Sequence, residues 1–228
     1  MRHFIKLFCF ILATPLYSGE MQFSFGGISL SLPEPNNLCP VNKYGATAEL
    51  YEQSRKLQLQ ATNKLLVYYA DCLSVRSFTN MQTFLGHTDW FLVVAANPYP
   101  SEERVYTRMK PHEFNSMMLS TLDNLNFDEV MSSVQRGIDE VLDDIAPKMG
   151  EVIDLGVVEI DDAIHQAVIM PITRTDGSQK TIGGVFSYMI LDGVITYIYN
   201  YRDYKNKNTI RSLLTESKKF VSKFANIN

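Results

Sequence analysis

Between Thr181 and Arg202 the chain reads TIGGVFSYMILDGVITYIYNYR, two long runs of β-branched and aromatic residues that meet at Asp192-Gly193. Both central residues of a type I′ turn need positive φ, and Asp-Gly supplies it readily, so the segment is read as a β-hairpin with a two-residue turn. Turn length fixes the register. Leu191 faces Val194, Ile190 faces Ile195, Tyr188 faces Tyr197 and Phe186 faces Tyr199. Alternation of side chains puts Ile190, Tyr188, Phe186, Ile195, Tyr197, Tyr199 and Tyr201 on one face, and Leu191, Met189, Val185, Val194 and Ile198 on the other. Neither face is polar. A hairpin apolar on both sides belongs inside a sheet covered on both faces, and helices elsewhere in the chain must supply the covers.

Those helices and further strands are legible in order. Met21 to Leu32 alternates apolar and polar residues after Gly27, as one half-buried strand would, and the stretch Pro33 to Asn37 ends it. Ala46 to Ala61 is a helix with Thr47 as N-cap and Leu50, Leu57 and Ala61 inward. Leu65 to Asp71 and Trp90 to Ala96 read as buried strands. Pro111 to Leu122 is a short helix, and Asn126 with Glu129 three residues on caps a longer one, Asp128 to Ile145. Its Val130, Val134, Ile138, Val141 and Ile145 form a stripe expected to face the sheet. After Gly150 four strands follow as an antiparallel meander: Val152 to Ile160, His165 to Thr173, Thr181 to Leu191 and Val194 to Arg202. Asn208 caps a last helix, Thr209 to Phe224, with Ile210, Leu213, Leu214, Val221 and Phe224 inward. The expected fold class is α+β: a mainly antiparallel six- to seven-stranded sheet flanked by helices on both faces, an α/β/α sandwich.

At 228 residues and 46% hydrophobic, the chain has material for one full core. Residues 1–19 depart from that average, with Arg2, His3 and Lys6 ahead of an apolar run and small residues near Gly19. This is the order of a secretory signal peptide, and the apolar run is shorter than the roughly 20 residues a membrane span needs. The expectation is an exported, periplasmic or secreted protein with one domain over 20–228 and no stable membrane span in the mature chain. Removal of the leader takes Cys9 with it and leaves Cys39 and Cys72, an even pair in an oxidising compartment. A disulfide is one reading and two separate buried thiols are the other. Net charge moves from −4 to −6 with the loss of Arg2 and Lys6, which argues against nucleic acid as a partner.

The segments LSLPEP (Leu30 to Pro35), ATNKLLVYYAD (Ala61 to Asp71) and Leu191 to Asn228 resemble a family of uncharacterised exported proteobacterial proteins. In that family an LPxP strand, an Asn-x-Leu-Leu strand and a Gly-turn hairpin leading into a C-terminal helix recur. The element order is also similar to the α/β/α sandwich of the Mog1 and PsbP proteins, known mainly as accessory and assembly factors. The resemblance spans nearly the whole mature chain and implies no catalytic residues.

Chemistry-bearing motifs are sparse. There is no GxSxG elbow, HExxH, Walker loop or GxGxxG, and no cofactor is implied. His87 and Asp89 in HTDW place an imidazole near a carboxylate, with Ser101 or Ser77 as conceivable nucleophiles; the same residues also suit an ordinary solvated turn. Glu159, Asp161, Asp162 and His165 read either as hard ligands for a divalent ion or as a polar hairpin tip. Tyr188, Tyr197, Tyr199 and Tyr201 give one hairpin face an amphipathic strip that could line a ligand groove or meet a protein partner, or could be core with hydroxyls at its rim. Charge is asymmetric, +5 over Arg202 to Lys223 and −5 over Asp128 to Asp144, as steering poles or as solvated helix faces. The expected function is a non-enzymatic accessory or binding module that recognises an envelope or secreted partner through its surface. The alternative is a small-molecule-binding or hydrolytic protein using a pocket near His87 and Asp89.

Overall fold

The central hairpin forms in the expected register. In the computed structural model, which describes residues 20–79, 89–99 and 101–228, Leu191 pairs with Val194, Tyr188 with Tyr197 and Phe186 with Tyr199. Asp192 and Gly193 both take positive φ at the turn, 48° and 81°. The leader expected over residues 1–19 lies outside the described residues.

Around this hairpin the strands are β1 (Glu20–Phe25), β2 (Ile28–Pro33), β3 (Leu38–Pro40), β4 (Asn63–Asp71), β5 (Trp90–Ala96), β6 (Lys148–Met149), β7 (Ile153–Ile160), β8 (Ile164–Thr173), β9 (Gln179–Leu191) and β10 (Val194–Asp203). The described helices are α1 (Ala48–Gln60), α2 (Cys72–Arg76), α3 (Pro111–Asp123), α4 (Phe127–Leu142) and α5 (Lys207–Ile227). The main sheet runs β3-β4-β5-β10-β9-β8-β6, with β7 also paired to β8, and every pairing is antiparallel. The hairpin β9–β10 is therefore central. The four-strand meander β7 to β10 is as expected.

Two layers cover the sheet. On one face α5 and the separate two-stranded β1–β2 ribbon pack down, and Phe25, Leu30, Leu32, Phe220, Val221 and Phe224 meet Val93, Val194 and Ile198. On the other face α1, α3 and α4 converge. Leu50 of α1 and Leu142 of α4 join Leu92 and Val94, and Phe114 and Met118 of α3 join Ile164, Ile190 and Ile195. A helix-flanked α+β sandwich results.

Several local expectations need correction. Met21 to Leu32 is a hairpin and not one strand: Gly26 and Gly27 both adopt positive φ, 56° and 81°, and reverse the chain so that Phe25 faces Ile28. Thr47 precedes α1, but its hydroxyl turns back to accept from Asn42 N–H at 3.0 Å and caps nothing. Ala61 sits exposed past the end of that helix. Asn126 does cap α4, accepting from Glu129 N–H at 3.3 Å. Of the expected stripe on α4, Ile138, Val141 and Ile145 pack inward, but Val130 and Val134 are 36% and 41% exposed, and Phe127 and Met131 take their place in the first half of the helix. The cap of α5 is Asn206, two residues before Asn208, and Ser217 and Phe220 join its buried side.

Cys39 on β3 and Cys72 at the start of α2 are joined by a disulfide. It closes a loop across 33 positions and ties the edge strand to the strand beside it. By the chain-entropy model, a loop of that length contributes on the order of 3 to 4 kcal/mol. No helix among the described residues is long and apolar enough to cross a membrane.

Candidate functional site

The face of the sheet under α1, α3 and α4 is paved with aromatic rings, and strand register says why. Tyr201 lies beside Trp90 of β5 and Gly184 of β9; Tyr199 lies beside Leu92 and Phe186; Tyr197 lies beside Val94 and Tyr188. Each triplet spans the three central strands on one face. Gly184 is what lets the first row close. A Cβ there would stand 3.1 Å from the Tyr201 ring and 3.2 Å from that of Phe186. Ring centroids are 5.6 Å apart for Trp90 and Tyr201, 5.3 Å for Phe186 and Tyr199, and 5.5 Å for Tyr188 and Tyr197, with planes tilted by 52° to 89°. These are the tilted and edge-to-face arrangements that the ring quadrupole favours.

The four tyrosines of the strip, with Trp90 and Phe186, are all half-buried. Helices touch them from three sides, α1 and the C-terminal half of α4 at Tyr197, Tyr199 and Tyr201, α3 at Tyr188, and the start of α4 at Phe186 and Trp90. The rings thus lie between the sheet and three helices, in contact with each and incompletely covered by them. Burial under those helices raises the pKa of all four phenols, so each stays a neutral hydrogen-bonding group at any physiological pH. Tyr188 donates to Gln166 Oε1 at 2.8 Å, and the Gln166 amide donates in turn to Asp154 at 3.0 and 3.1 Å. Tyr199 bonds to Asn63. Among the described residues, the buried side-chain polar atoms without a partner are Gln53 Oε1, the Tyr69 hydroxyl and Asn97 Oδ1. The hydroxyls of Tyr197 and Tyr201 have no hydrogen-bond partner among the described residues, and burial raises the pKa of both.

His87 lies outside the described residues. Its expected companion Asp89 is engaged by the Arg202 guanidinium, with Nε 3.2 Å from Oδ2, and the same Arg202 holds Glu216 through two 3.0 Å contacts. Ser77 donates its hydroxyl to Leu73 O at 2.7 Å, and Ser101 sits exposed in a turn.

Of the acidic cluster, Glu159, Asp161 and His165 come together and Asp162 stays exposed on the turn. The Lys218 ammonium of α5 fills the centre, paired with Glu159 and 3.5 Å from Asp161 Oδ2. Among the described residues no group of three or more His, Cys, Asp and Glu is placed to hold a metal ion. The sequence reading missed the other partner of His165, because it lies one strand away. Ser187 Oγ is 2.8 Å from Nδ1, while Asp161 Oδ1 is 2.9 Å from Nε2. A Ser-His-Asp chain of this kind is chemically suggestive, but here it lies sealed, since His165 and Ser187 are both 0% exposed. The imidazole also uses its two nitrogens in the opposite sense to a serine hydrolase, where the carboxylate holds Nδ1. Burial alone would raise the Asp161 pKa; bonds from His165 and the Ala163 N–H, with the Lys218 charge, outweigh it and hold the carboxyl below its ordinary range. The arrangement is a strut between the β7–β8 turn and α5.

A scan against protein-family models finds no match, and neither does a search of the curated proteins.

Proposed function

We propose that this chain is an exported, non-enzymatic binding module, and that its ligand or partner is recognised on the aromatic strip. The observation that carries this reading is the half-buried strip of Trp90, Phe186 and the four tyrosines. Six aromatic residues left partly exposed at the centre of a sheet are apolar surface that a monomer would ordinarily bury, and aromatic surface with a few polar groups is the usual make-up of a binding site. Export is supported by the order of residues 1–19 and by the Cys39–Cys72 disulfide. The family of exported proteobacterial proteins that the chain resembles, with its Mog1- and PsbP-like sandwich, agrees with an accessory role.

Trp90 is the one tryptophan in the chain and reports directly on the strip. Acrylamide should quench its emission, and native mass spectrometry of protein purified from the envelope fraction should show a bound mass that a Tyr197→Leu/Tyr199→Leu variant loses. Trp90 shielded from acrylamide, together with no bound mass, would end the proposal. N-terminal sequencing of the same material tests export, which fails if the protein still begins at Met1 in the cytosol.

A further inference from the structure

We propose that β7 is an open sheet edge that takes up, as an added strand, an extended segment of another protein carrying Lys or Arg among apolar residues. This surface is separate from the aromatic strip, and it stands out because the two edges of the main sheet are finished so differently.

A sheet edge presents backbone N–H and C=O groups to any strand that approaches, and proteins commonly guard it with a short strand, with Lys or Pro, or with bulges. β3 is guarded: it is three residues long, ends at Pro40 and is tied down by the Cys39–Cys72 disulfide. On the opposite side of the sheet β7 runs for eight residues, pairs with β8, and among the described residues has no strand beyond it. It contains no Lys, Arg or Pro. Ile153, Leu155, Val158 and Ile160 are 52%, 44%, 38% and 51% exposed. Two register shifts, with Gly156 at a φ of 73°, interrupt the pairing to β8 but leave those four side chains uncovered.

Charge selects the partner. Residues 151–162 hold five acids, Glu151, Asp154, Glu159, Asp161 and Asp162, and no base. Lys218 answers Glu159 and Asp161, and His165 also meets Asp161. Asp154 meets two neutral donors, the Gln166 amide and Gly156 N–H, while Glu151 and Asp162 are exposed. Paired residues of neighbouring strands share a face, so the register with β8 sets Ile153 and Glu159 on the side of α5 and Asp154 and Ile160 on the other. Each face of the edge thus offers an exposed isoleucine and a carboxylate together.

A second copy of this chain is the wrong occupant. Paired antiparallel with itself over residues 151–162, the strand would set Glu151 against Asp162 and Asp154 against Glu159, each pair repeated across the two-fold, and like charges directly opposite are unfavourable. An added strand with Lys or Arg at those places would instead meet a carboxylate at each cation, and its apolar residues would cover Ile153, Leu155, Val158 and Ile160. Main-chain hydrogen bonds to the open edge would supply affinity without regard to sequence.

The probe is the peptide KKIKVVGLKIVK, which is residues 151–162 in reverse order with every Asp and Glu replaced by Lys. It is labelled with fluorescein, titrated with the purified protein and followed by anisotropy. Its acidic counterpart DDIEVVGLDIVE and a form with its central backbone nitrogens N-methylated are the comparators. The basic peptide should bind saturably and at least about tenfold more tightly than either, because the first reverses the charge and the second removes the strand hydrogen bonds. Leu155→Lys/Val158→Lys should weaken its binding about tenfold and leave the circular dichroism spectrum unchanged, since both side chains are exposed. Equal binding of the N-methylated form would mean attraction between charges without strand addition, and overturns the proposal. So does an absence of binding, or binding that the double variant leaves unchanged. Sedimentation of the protein alone covers the remaining case: a dimer that Leu155→Lys/Val158→Lys dissociates would make a second copy the occupant and overturn the assignment of a basic partner.

Discussion

The two faces of the β9–β10 hairpin are built from alternate residues of the same strands, yet they are covered to very different depths. Toward α5, Val185, Ser187, Met189, Val194, Thr196, Ile198 and Asn200 are at most 3% exposed. Toward α1, α3 and α4, Phe186, Tyr188, Tyr197, Tyr199 and Tyr201 all remain half-buried. Side-chain size accounts for much of this. Small and aliphatic groups let one long helix lie flat on the sheet, with Gly183 admitting Ile210 and Tyr204 to close approach. Bulky rings meet three separate helices, which cover them less completely. A face can thus be apolar for two unlike reasons, one to be sealed and the other to be offered.

The comparison breaks most severely at the sealed face. Phe224 is fully buried against Phe220 and the β1–β2 ribbon, so Phe224→Ala should lower stability by about 3 to 5 kcal/mol. Tyr199→Leu on the open face should cost less than half of that. Urea midpoints for the two variants decide the matter, and equal losses would mean that the strip is core after all.

A buried strut beneath the sealed face gives the next largest effect. His165→Leu leaves the buried Ser187 hydroxyl without its partner and Asp161 with only Lys218 and the Ala163 N–H, a loss of about 1 to 3 kcal/mol. The strut also has a pH signature. Asp161 has a lowered pKa in the fold, so its contribution is fully present above the carboxylate pKa of the unfolded chain, roughly 4, and is lost as pH falls through the lower folded value. Acid unfolding of the wild type should therefore steepen below about pH 4, and Asp161→Asn should flatten that part of the curve. On the open face the sign runs the other way. Raised phenol pKa values leave stability intact below about pH 10 and erode it above, as the unfolded chain releases protons that the folded one keeps. Absorbance titration should show the strip tyrosines ionising only with unfolding.

How much of this could be read in advance differs between the two faces as well. Which residues share the aromatic face was legible, because Asp192-Gly193 sets a two-residue turn and every later partner follows from it. How well that face is covered was not, since it depends on where α4 lies. Periodicity placed Ile138, Val141 and Ile145 on the docked side of α4 and its continuation, and they do pack there; in the first half of the helix it chose Val130 and Val134, where tertiary packing selects Phe127 and Met131. The Gly26-Gly27 pair did carry a hairpin signal, and reading through it merged two strands into one. The His165–Ser187 contact depends on the β8–β9 register, which pairs Thr173 with Gln179 around a loop whose length was not evident from Asp176-Gly177 alone. Lys218 joins that cluster only once α5 is laid across the sheet.

Removing one hydroxyl from each face is the gentlest form of the comparison. Ser187→Ala removes the hydroxyl that meets His165 Nδ1 at 2.8 Å in a fully buried position, so the imidazole nitrogen is left unpaired, at a cost of about 1 kcal/mol. Tyr197→Phe deletes a hydroxyl with no hydrogen-bond partner among the described residues, and the ring and its contact with Tyr188 remain, so stability should change by less than about 0.5 kcal/mol. If the strip is a site, that same silent change should still appear in binding, because the lost hydroxyl is one a ligand would use. A Tyr197→Phe protein as stable as the wild type but altered in the bound mass seen by native mass spectrometry would separate the two faces by role. Equal destabilisation by both substitutions would show the Tyr197 hydroxyl to be part of the packing, and the distinction between a sealed and an offered face would fail.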